Sequence, residues 1–228
     1  MAAWAPPGLF AHRPSRTERK LIILVRHGRT EANHRGLLLG RADPRLDETG
    51  IVQVAALADY LAQELTGRKI NAVVTSPLLR TQETAAAIGH ALAVTPEVDE
   101  RLIEMNYGEW DQLPVDEIAP EVWKQWRVDP DFSPPGGESL AQVQIRVGQC
   151  LDDLVRRAHS PDPDSPGGVV VAVSHTSPIK AALVWALHGS PELAWRFRLS
   201  VASITEITLG PFGPVVTRFN ETVTPSVG

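Results

Sequence analysis

Two histidines follow directly on apolar stretches that have the composition of buried strands. His27 comes shortly after residues 21–25, and His175 comes shortly after residues 169–173. Short apolar runs of this kind are typical of parallel strands that are buried on both faces. Because ligands of open α/β sheets bind just beyond the carboxyl ends of the strands, the two imidazoles can converge on one crevice if the strands are neighbours.

Arginines accompany these histidines and indicate the kind of ligand. Arg26 directly precedes His27, and Arg80 lies in the first turn of a helix that follows another apolar stretch, residues 70–75. Helix N-termini favour anions, and an imidazole beside a guanidinium and exposed amides suits a phosphate ester. Taken singly, each histidine is explained about as well by a capping or loop role, and a single arginine is better explained as a solvated side chain. Their recurrence at strand ends favours a shared phosphate site.

The elements that must position these residues alternate between strand and helix. Such alternation points to a parallel sheet with crossover helices. After the strand at 21–25, we predict these elements from spacing and stop signals: a helix from the Asp47-Glu48 start to Gly67, a strand at 70–75, a helix at 78–92, a short strand at 98–100, a helix along the stripe 140–154, a strand at 169–173, a helix led by Pro178 through about 187, and an edge pair at 202–209 and 214–219.

The remaining segments are predicted with less regular structure. Residues 111–137 are rich in proline and include Trp123 and Trp126, and we expect one or two short helices that form a lid over the sheet's edge. Residues 160–168 are expected to be a surface loop. We divide the chain into a disordered leader at 1–18, a single domain at 19–222, and a tail at 223–228.

Composition excludes several classes of function. The 228 residues carry a net charge of −5, which argues against general binding of nucleic acids or anionic membranes. Cys150 is the only cysteine and falls on the apolar side of a helical pattern, where we expect a small core residue. The seven histidines lack zinc-binding spacing, so no metal site is predicted. The apolar run at 21–25 is too short for a secretory signal or a membrane span, and we expect a cytoplasmic protein.

Five motifs occur in an order that resembles the histidine phosphatase superfamily, in the branch with cofactor-dependent phosphoglycerate mutases and small bacterial phosphatases. They are Arg26-His27-Gly28, the Ser-Pro-x-x-Arg run at 76–85, Glu-x-x-Tyr-Gly-x-Trp at 104–110, Gly-Gly-Glu-Ser at 136–139, and Ser-His at 174–175. The resemblance spans roughly residues 21–209. It implies a three-layer α/β/α sandwich around a mostly parallel sheet.

The resemblance also implies roles for individual residues. His27 matches the nucleophile that forms a phosphohistidine intermediate. Arg26 and Arg80 match the pair that clamps the phosphoryl oxygens, a task for which the planar guanidinium is suited. His175 matches a further donor to those oxygens, and Glu104 matches the proton donor to the leaving group.

Three further positions are expected to bind substrate. Asn33 matches a polar position of the same pocket, and Thr30 matches a hydroxyl-bearing one. Thr176 follows His175 at a position where the family usually has glycine. Arg29, Arg35 and Arg41 are additional cations in this part of the chain. They are explained equally well by an acidic substrate or by surface solvation.

Departures from the family pattern favour a phosphatase over a mutase. Arg29 stands where mutases of the family usually have glutamate, and Asp111-Gln112 replaces a common glycine. We therefore predict a phosphatase that needs neither metal nor cofactor and hydrolyses a small phosphorylated metabolite. A cofactor-dependent phosphoglycerate mutase and an inactive phosphatase-like binding protein remain alternatives. The resemblance leaves a homodimer open and does not identify the substrate.

Overall fold

The described part of the protein is built on one mixed sheet. The computed structural model describes residues 20–159 and 167–224, so the predicted leader and most of the 160–168 loop lie outside the described residues. In this part of the chain the sheet has six strands, which are β1 (Lys20–Arg26), β2 (Ile70–Thr75), β3 (Glu97–Val98), β4 (Val169–Ser174), β5 (Ser203–Gly210) and β6 (Gly213–Thr222).

The strand order β3-β2-β4-β1-β5-β6 places β1 and β4 side by side. They pair in parallel, with Arg26 opposite Ser174 at their carboxyl ends. β2 lies parallel to β4 on the other side, whereas β5 and β6 are antiparallel additions at one edge. The neighbouring strands therefore direct the residues that follow them, including His27 and His175, to one edge of the sheet.

Helices cover both faces of the sheet and complete the predicted three layers. They are α1 (Glu31–His34), α2 (Glu48–Glu64), α3 (Leu79–Leu92), α4 (Pro120–Trp126), α5 (Leu140–Ala158) and α6 (Thr176–Ala186). Two caps show why helices begin where they do, since the Asp47 carboxylate accepts a hydrogen bond from Gly50 N at 2.7 Å and Ser139 forms a capping box with Gln142.

Alternate residues of β1 pack into separate cores. Ile22 and Leu24 point to a core shared with α5 and α6, while Ile23 and Val25 point to a core shared with α2 and α3. Successive side chains of a strand point to opposite faces of the sheet, and both faces of β1 are covered. The apolar residues of β1 therefore form a continuous run instead of alternating with polar ones. Cys150 lies in the α5 core, as predicted.

Some predicted boundaries are wrong. The strand expected at 98–100 is observed one residue earlier and is only two residues long, as β3 (Glu97–Val98). A single 3₁₀ turn begins at Glu100. Helix α6 begins at Thr176, two residues before the proline expected to lead it.

In the 111–137 segment, Trp126 is fully buried in the α5 core, so this segment packs as part of the domain rather than only over an edge.

The longest helix within residues 20–159 and 167–224 is α5, with 19 residues. In that part of the chain, no helix combines the length and the apolar character needed to cross a bilayer. The expected cytoplasmic location, the leader and tail boundaries, and the homodimer stay predictions.

Candidate active site

His27 lies buried directly beyond β1, and its ring has a defined tautomer. The Nδ1 atom is 2.7 Å from the carbonyl oxygen of Gly28. Because a carbonyl can only accept, Nδ1 carries the proton and Nε2 presents a lone pair. The turn that holds the ring is tightly packed, since a Cβ at Gly28 would lie 2.6 Å from the Val54 side chain. The sequence thus provides a buried imidazole with a nucleophilic nitrogen.

The surroundings of His27 keep its ring uncharged. Burial lowers the pKa of His27 well below its usual value, and the positive charges of Arg26 and Arg80 lower it further. The hydrogen bond to Gly28 acts in the opposite direction. Burial dominates, so the imidazole remains neutral and nucleophilic at neutral pH.

His175 lies beside His27 at the end of β4. The ring centroids are 5.2 Å apart, and the planes are inclined by 58°. Arg80 Nε donates to Nδ1 of His175 at 3.3 Å, so the proton of this ring lies on Nε2, which is 2.7 Å from the Ser76 hydroxyl oxygen. Burial, followed by the charge of Arg80, lowers the pKa of His175 as well.

Arg80 is fully buried in the first turn of α3, at the end of the strand β2 that neighbours β4. Besides its bond to His175, its two terminal nitrogens donate to the carbonyl oxygens of Ala42 and Gly40 at 2.7 and 2.8 Å. Each terminal nitrogen retains a second N–H. Burial lowers the pKa of Arg80 to about 10, so the guanidinium stays charged at neutral pH and can donate to an anion.

The loop that holds Arg80 is itself held by Asp111. The two carboxylate oxygens of Asp111 accept hydrogen bonds from Gly40 N at 2.8 Å and from Ala42 N at 2.7 Å. The carbonyls of these same two residues bind Arg80. Asp111 therefore positions the guanidinium through the backbone of one short loop.

Arg26 provides unused donors next to His27. One terminal nitrogen donates to the carbonyl oxygen of Leu199 at 2.7 Å. Its Nε atom is buried and finds no hydrogen-bond partner among the described residues. A buried, unpaired N–H of a cation is costly, and an anion bound at this position would satisfy it.

Glu104 is buried near both arginines and is held by backbone amides. Its Oε1 accepts from Met105 N at 2.7 Å and from Ser177 N at 3.1 Å, while Oε2 has only a long contact of 3.4 Å with Ser177 N. The negative charge of Glu104 raises the pKa of both Arg26 and Arg80, against the lowering effect of burial. Oε2 is the oxygen that remains available for proton transfer.

Thr30, Asn33 and Thr176 occupy less central positions. The Thr30 hydroxyl donates to Asn33 Oδ1 at 3.0 Å, and the two residues form the capping box of α1. The side-chain nitrogen Nδ2 of Asn33 has no acceptor among the described residues, whereas its backbone N–H donates to the Thr30 hydroxyl. Thr176 is the first residue of α6 and lines a cavity beside the site. Their predicted contacts with substrate stay predictions.

The additional cations that sequence analysis noted are mostly engaged elsewhere. Arg29 binds the Asp47 carboxylate at 2.8 Å and so secures the start of α2. Arg41 lies nearer the site, because its Nε donates to the Glu104 carbonyl at 2.9 Å and its terminal nitrogen lies 3.7 Å from Glu138. Arg35 is exposed.

A cavity of about 190 Å³ borders the site. Met105, next to Glu104, and Thr176 with Ser177, next to His175, form the wall on the side of the site. Tryptophans and Lys180 form other parts of the wall. The cavity is thus placed to receive the organic part of a ligand whose anionic group lies between the arginines.

Within residues 20–159 and 167–224, no group of three or more His, Cys, Asp or Glu side chains is arranged to hold a metal ion. The expectation that the site works without a metal stays a prediction.

Ser76, Asp111 and Lys180 were not assigned roles from the sequence. Ser76 had a usable signal, because it follows strand β2 just as His27 and His175 follow β1 and β4. Asp111 and Lys180 have no such signal in the sequence, because the residues that they contact come from segments that are distant in the chain.

Comparison with protein families gives a match over nearly the whole described chain. Residues 22–222 match the model of the histidine phosphatase superfamily, branch 1. A bifunctional protein of Mycobacterium tuberculosis is 37% identical over 187 residues, which cover 81% of this chain and 49% of that protein. The chain thus spans about half the length of the first curated relatives it matches.

Two further comparisons cover almost the full length of both partners. Phosphoserine phosphatase 1 of Hydrogenobacter thermophilus is 35% identical over 207 residues, with 88% of this chain and 92% of that protein covered. The structure of a mycobacterial glucosyl-3-phosphoglycerate phosphatase superposes with a TM-score of 0.77 at 27% identity, covering 90% of this chain and all of that one.

Proposed function

We propose that this chain, which belongs to the histidine phosphatase superfamily, hydrolyses small phosphomonoesters through a phosphohistidine intermediate on His27. The observation that carries the proposal is the pairing, at one strand end, of a nucleophilic Nε2 with a buried Arg26 N–H that has no partner among the described residues. This arrangement meets the needs of phosphoryl transfer, which depends on positioning and on stabilisation of charge.

In the first step, the Nε2 lone pair of His27 attacks phosphorus while the bond to the ester oxygen breaks. Arg26, Arg80 and the Nε2–H of His175 donate to the phosphoryl oxygens. The Nε2–H of His175 is shared between the Ser76 oxygen, which keeps the ring oriented, and a phosphoryl oxygen. Glu104, in its protonated form, gives its proton to the departing alkoxide, so an alcohol leaves and the phosphoryl group stays on His27.

In the second step, a water molecule attacks the phosphohistidine. The carboxylate of Glu104 takes the proton of this water, and the bond between phosphorus and Nε2 breaks. Inorganic phosphate leaves, and both His27 and Glu104 return to their starting states. One carboxyl group thus acts first as the acid that protonates the leaving oxygen and then as the base that deprotonates the attacking water.

The named relatives support a phosphatase that acts on small metabolites. One relative at 35% identity is a phosphoserine phosphatase, and another at 34% identity is a glucosyl-3-phosphoglycerate phosphatase of Mycobacterium tuberculosis. Arg29 also supports hydrolysis over mutase activity, because its side chain is held by Asp47 rather than directed to a substrate.

The test is hydrolysis of phenyl phosphate in the presence of EDTA. We expect release of phosphate by the wild-type protein and a loss of at least about 10³-fold in His27→Gln, since the nucleophile is removed. His90→Gln is the matched control, because His90 is exposed on α3, away from the site. Absence of activity on this ester and on a panel of phosphorylated metabolites would contradict the proposal, as would conversion of 3-phosphoglycerate to 2-phosphoglycerate without hydrolysis.

A further inference from the structure

The cavity beside the site is small and has aromatic walls. Trp123, Trp126, Trp195 and Tyr107 line it together with Leu38 and Leu140. Its volume of about 190 Å³ is below the roughly 300–1,000 Å³ of pockets that bury drug-sized ligands. A single ring with a short substituent fits this size.

The aromatic walls are rigid because they pack on one another. Trp123 and Trp126 stack with ring centroids 5.3 Å apart, and Trp195 meets both rings edge to face. Trp195 Nε1 also donates to the backbone carbonyl of Trp126 at 3.1 Å, which fixes that ring. Preformed aromatic walls favour flat, apolar groups and cost little to order on binding.

Lys180 is the one cationic side chain among the residues that line this cavity. It lies on α6, one helical turn after Thr176 and Ser177, with its ammonium 5.6 Å from the centre of the Trp195 ring. No carboxylate of the described residues lies within ion-pair distance of its Nζ. Burial lowers the pKa of Lys180 most, the charge of Glu104 raises it, and the charge of Arg26 lowers it.

Glu104 does not neutralise Lys180 as a partner would. Its Oε1 is taken by two backbone amides, and its Oε2 faces Ser177 N. The ammonium is therefore a half-buried charge on the wall of an apolar cavity, with no carboxylate of the described residues at ion-pair distance. A buried charge of this kind is stabilised when a ligand brings the opposite charge.

We propose that the cavity selects phosphomonoesters whose alcohol part is a single aromatic or similarly flat apolar ring carrying a carboxylate, with Lys180 as the residue that binds this carboxylate. This inference rests on the proposed phosphatase function and adds the class of its substrate. The phosphoryl group lies at His27 between the arginines, the ester oxygen lies at Glu104, and the ring extends between the tryptophans toward Lys180.

The test compares three esters whose alcohols have similar acidity: ethyl phosphate, benzyl phosphate and 4-carboxybenzyl phosphate. For the wild-type protein we expect kcat/KM to increase about tenfold from ethyl to benzyl phosphate, and again about tenfold when the carboxylate is added. In Lys180→Met we expect the second increase to disappear. Each ratio is measured on one preparation, so partial misfolding of a variant cancels.

Lys124→Met is the matched control, because Lys124 is exposed on α4 and does not line the cavity. It is expected to keep the wild-type preference for the carboxylated ester. A carboxylate preference that is absent in the wild type, or equal in the wild type and Lys180→Met, would overturn the inference while leaving the phosphatase function intact. Equal kcat/KM for ethyl and benzyl phosphate would overturn the ring specificity. Failure to hydrolyse any ester would instead reject the proposed function itself.

Discussion

Asp111 and Arg80 bind the same short loop through opposite groups of its backbone. The Asp111 carboxylate accepts from the amides of Gly40 and Ala42, and the Arg80 guanidinium donates to the carbonyls of these two residues. The loop has little freedom to shift, since a Cβ at Gly40 would lie 2.9 Å from the Met105 carbonyl oxygen. A carboxylate just beyond the Glu-x-x-Tyr-Gly-x-Trp motif thus determines where a phosphate-binding arginine lies.

Asp111→Ala tests this arrangement. The substitution leaves two amides without their acceptor, so the loop shifts and the terminal nitrogens of Arg80 lose their fixed positions. We expect kcat/KM for phenyl phosphate to fall about 10- to 100-fold, because displacements of about 1 Å at a reacting centre can have effects of this size. Inhibition by inorganic phosphate should weaken in parallel. Asp116→Ala, at an exposed position nearby, is the control, and an equal effect of both substitutions would argue against the positioning role.

Ser76→Ala tests the orientation of the second histidine. The Ser76 hydroxyl is the partner of His175 Nε2, and its removal leaves a buried N–H without an acceptor. We expect kcat to fall about 5- to 30-fold, the equivalent of about 1–2 kcal/mol for a buried hydrogen bond. The comparison is Ser133→Ala, an exposed serine. Full activity in Ser76→Ala would show that His175 is oriented by Arg80 alone.

The lowered pKa of His27 and His175 predicts loss of stability in acid. The unfolded chain binds protons at these rings near pH 6.5, whereas the folded protein binds them only at lower pH. The free energy of unfolding therefore decreases as the pH falls below about 6.5. Each ring contributes up to about 1.4 kcal/mol per pH unit to this decrease.

Denaturant unfolding of the wild type, His27→Gln and His90→Gln, at about pH 7.5 and about pH 5.5, measures this effect. Since His27→Gln removes one buried titrating ring, its loss of stability between the two pH values should be smaller than that of the wild type. His90 is exposed, so His90→Gln should behave like the wild type. An identical pH dependence in all three proteins would contradict the prediction.

Two glycine substitutions should change stability in opposite directions. A Cβ at Gly50, in the first turn of α2, would overlap the Arg29 carbonyl oxygen, so the backbone after His27 would have to move. We expect Gly50→Ala to lower the free energy of unfolding by about 1–3 kcal/mol.

Gly148→Ala is the matched variant inside a helix with room for the methyl group. At Gly148, within α5, the nearest atom to an added Cβ is a Trp185 ring carbon at 3.7 Å, an ordinary contact. Alanine there should stabilise the protein by about 0.5–1 kcal/mol, because it restricts the unfolded chain. Thermal or denaturant unfolding measures both variants, and destabilisation by Gly148→Ala would contradict the packing described for α5.

Much of the fold was predictable because its signals are local. The apolar runs at 21–25 and 169–173 follow from burial on both faces, and the capping residues Asp47 and Ser139 mark helix starts in the structure. The position of His27 and His175 at one edge followed from the rule that parallel strands end together. The error at 98–100 concerns a two-residue strand, which is too short to have a pattern.

The parts of the site that sequence patterns do not indicate depend on contacts between distant segments. In the sequence, Asp111 is only a departure from a family pattern, although its carboxylate holds the loop that binds Arg80. Lys180 is an ordinary helical lysine in sequence, and only the packing of α6 against Trp195 places its charge in the cavity. Local propensity contains no information about such pairs.

Identification of the phosphorylated residue during turnover tests the central claim most directly. The wild-type protein is mixed with excess phenyl phosphate, quenched in alkali, in which phosphohistidine is stable, and digested for mass spectrometry. We predict one added phosphoryl group on the peptide that contains His27, none on the peptide that contains His175, and none in His27→Gln. Hydrolysis that continues with phosphate found on another residue, or with no phosphorylated residue at all, would contradict the mechanism.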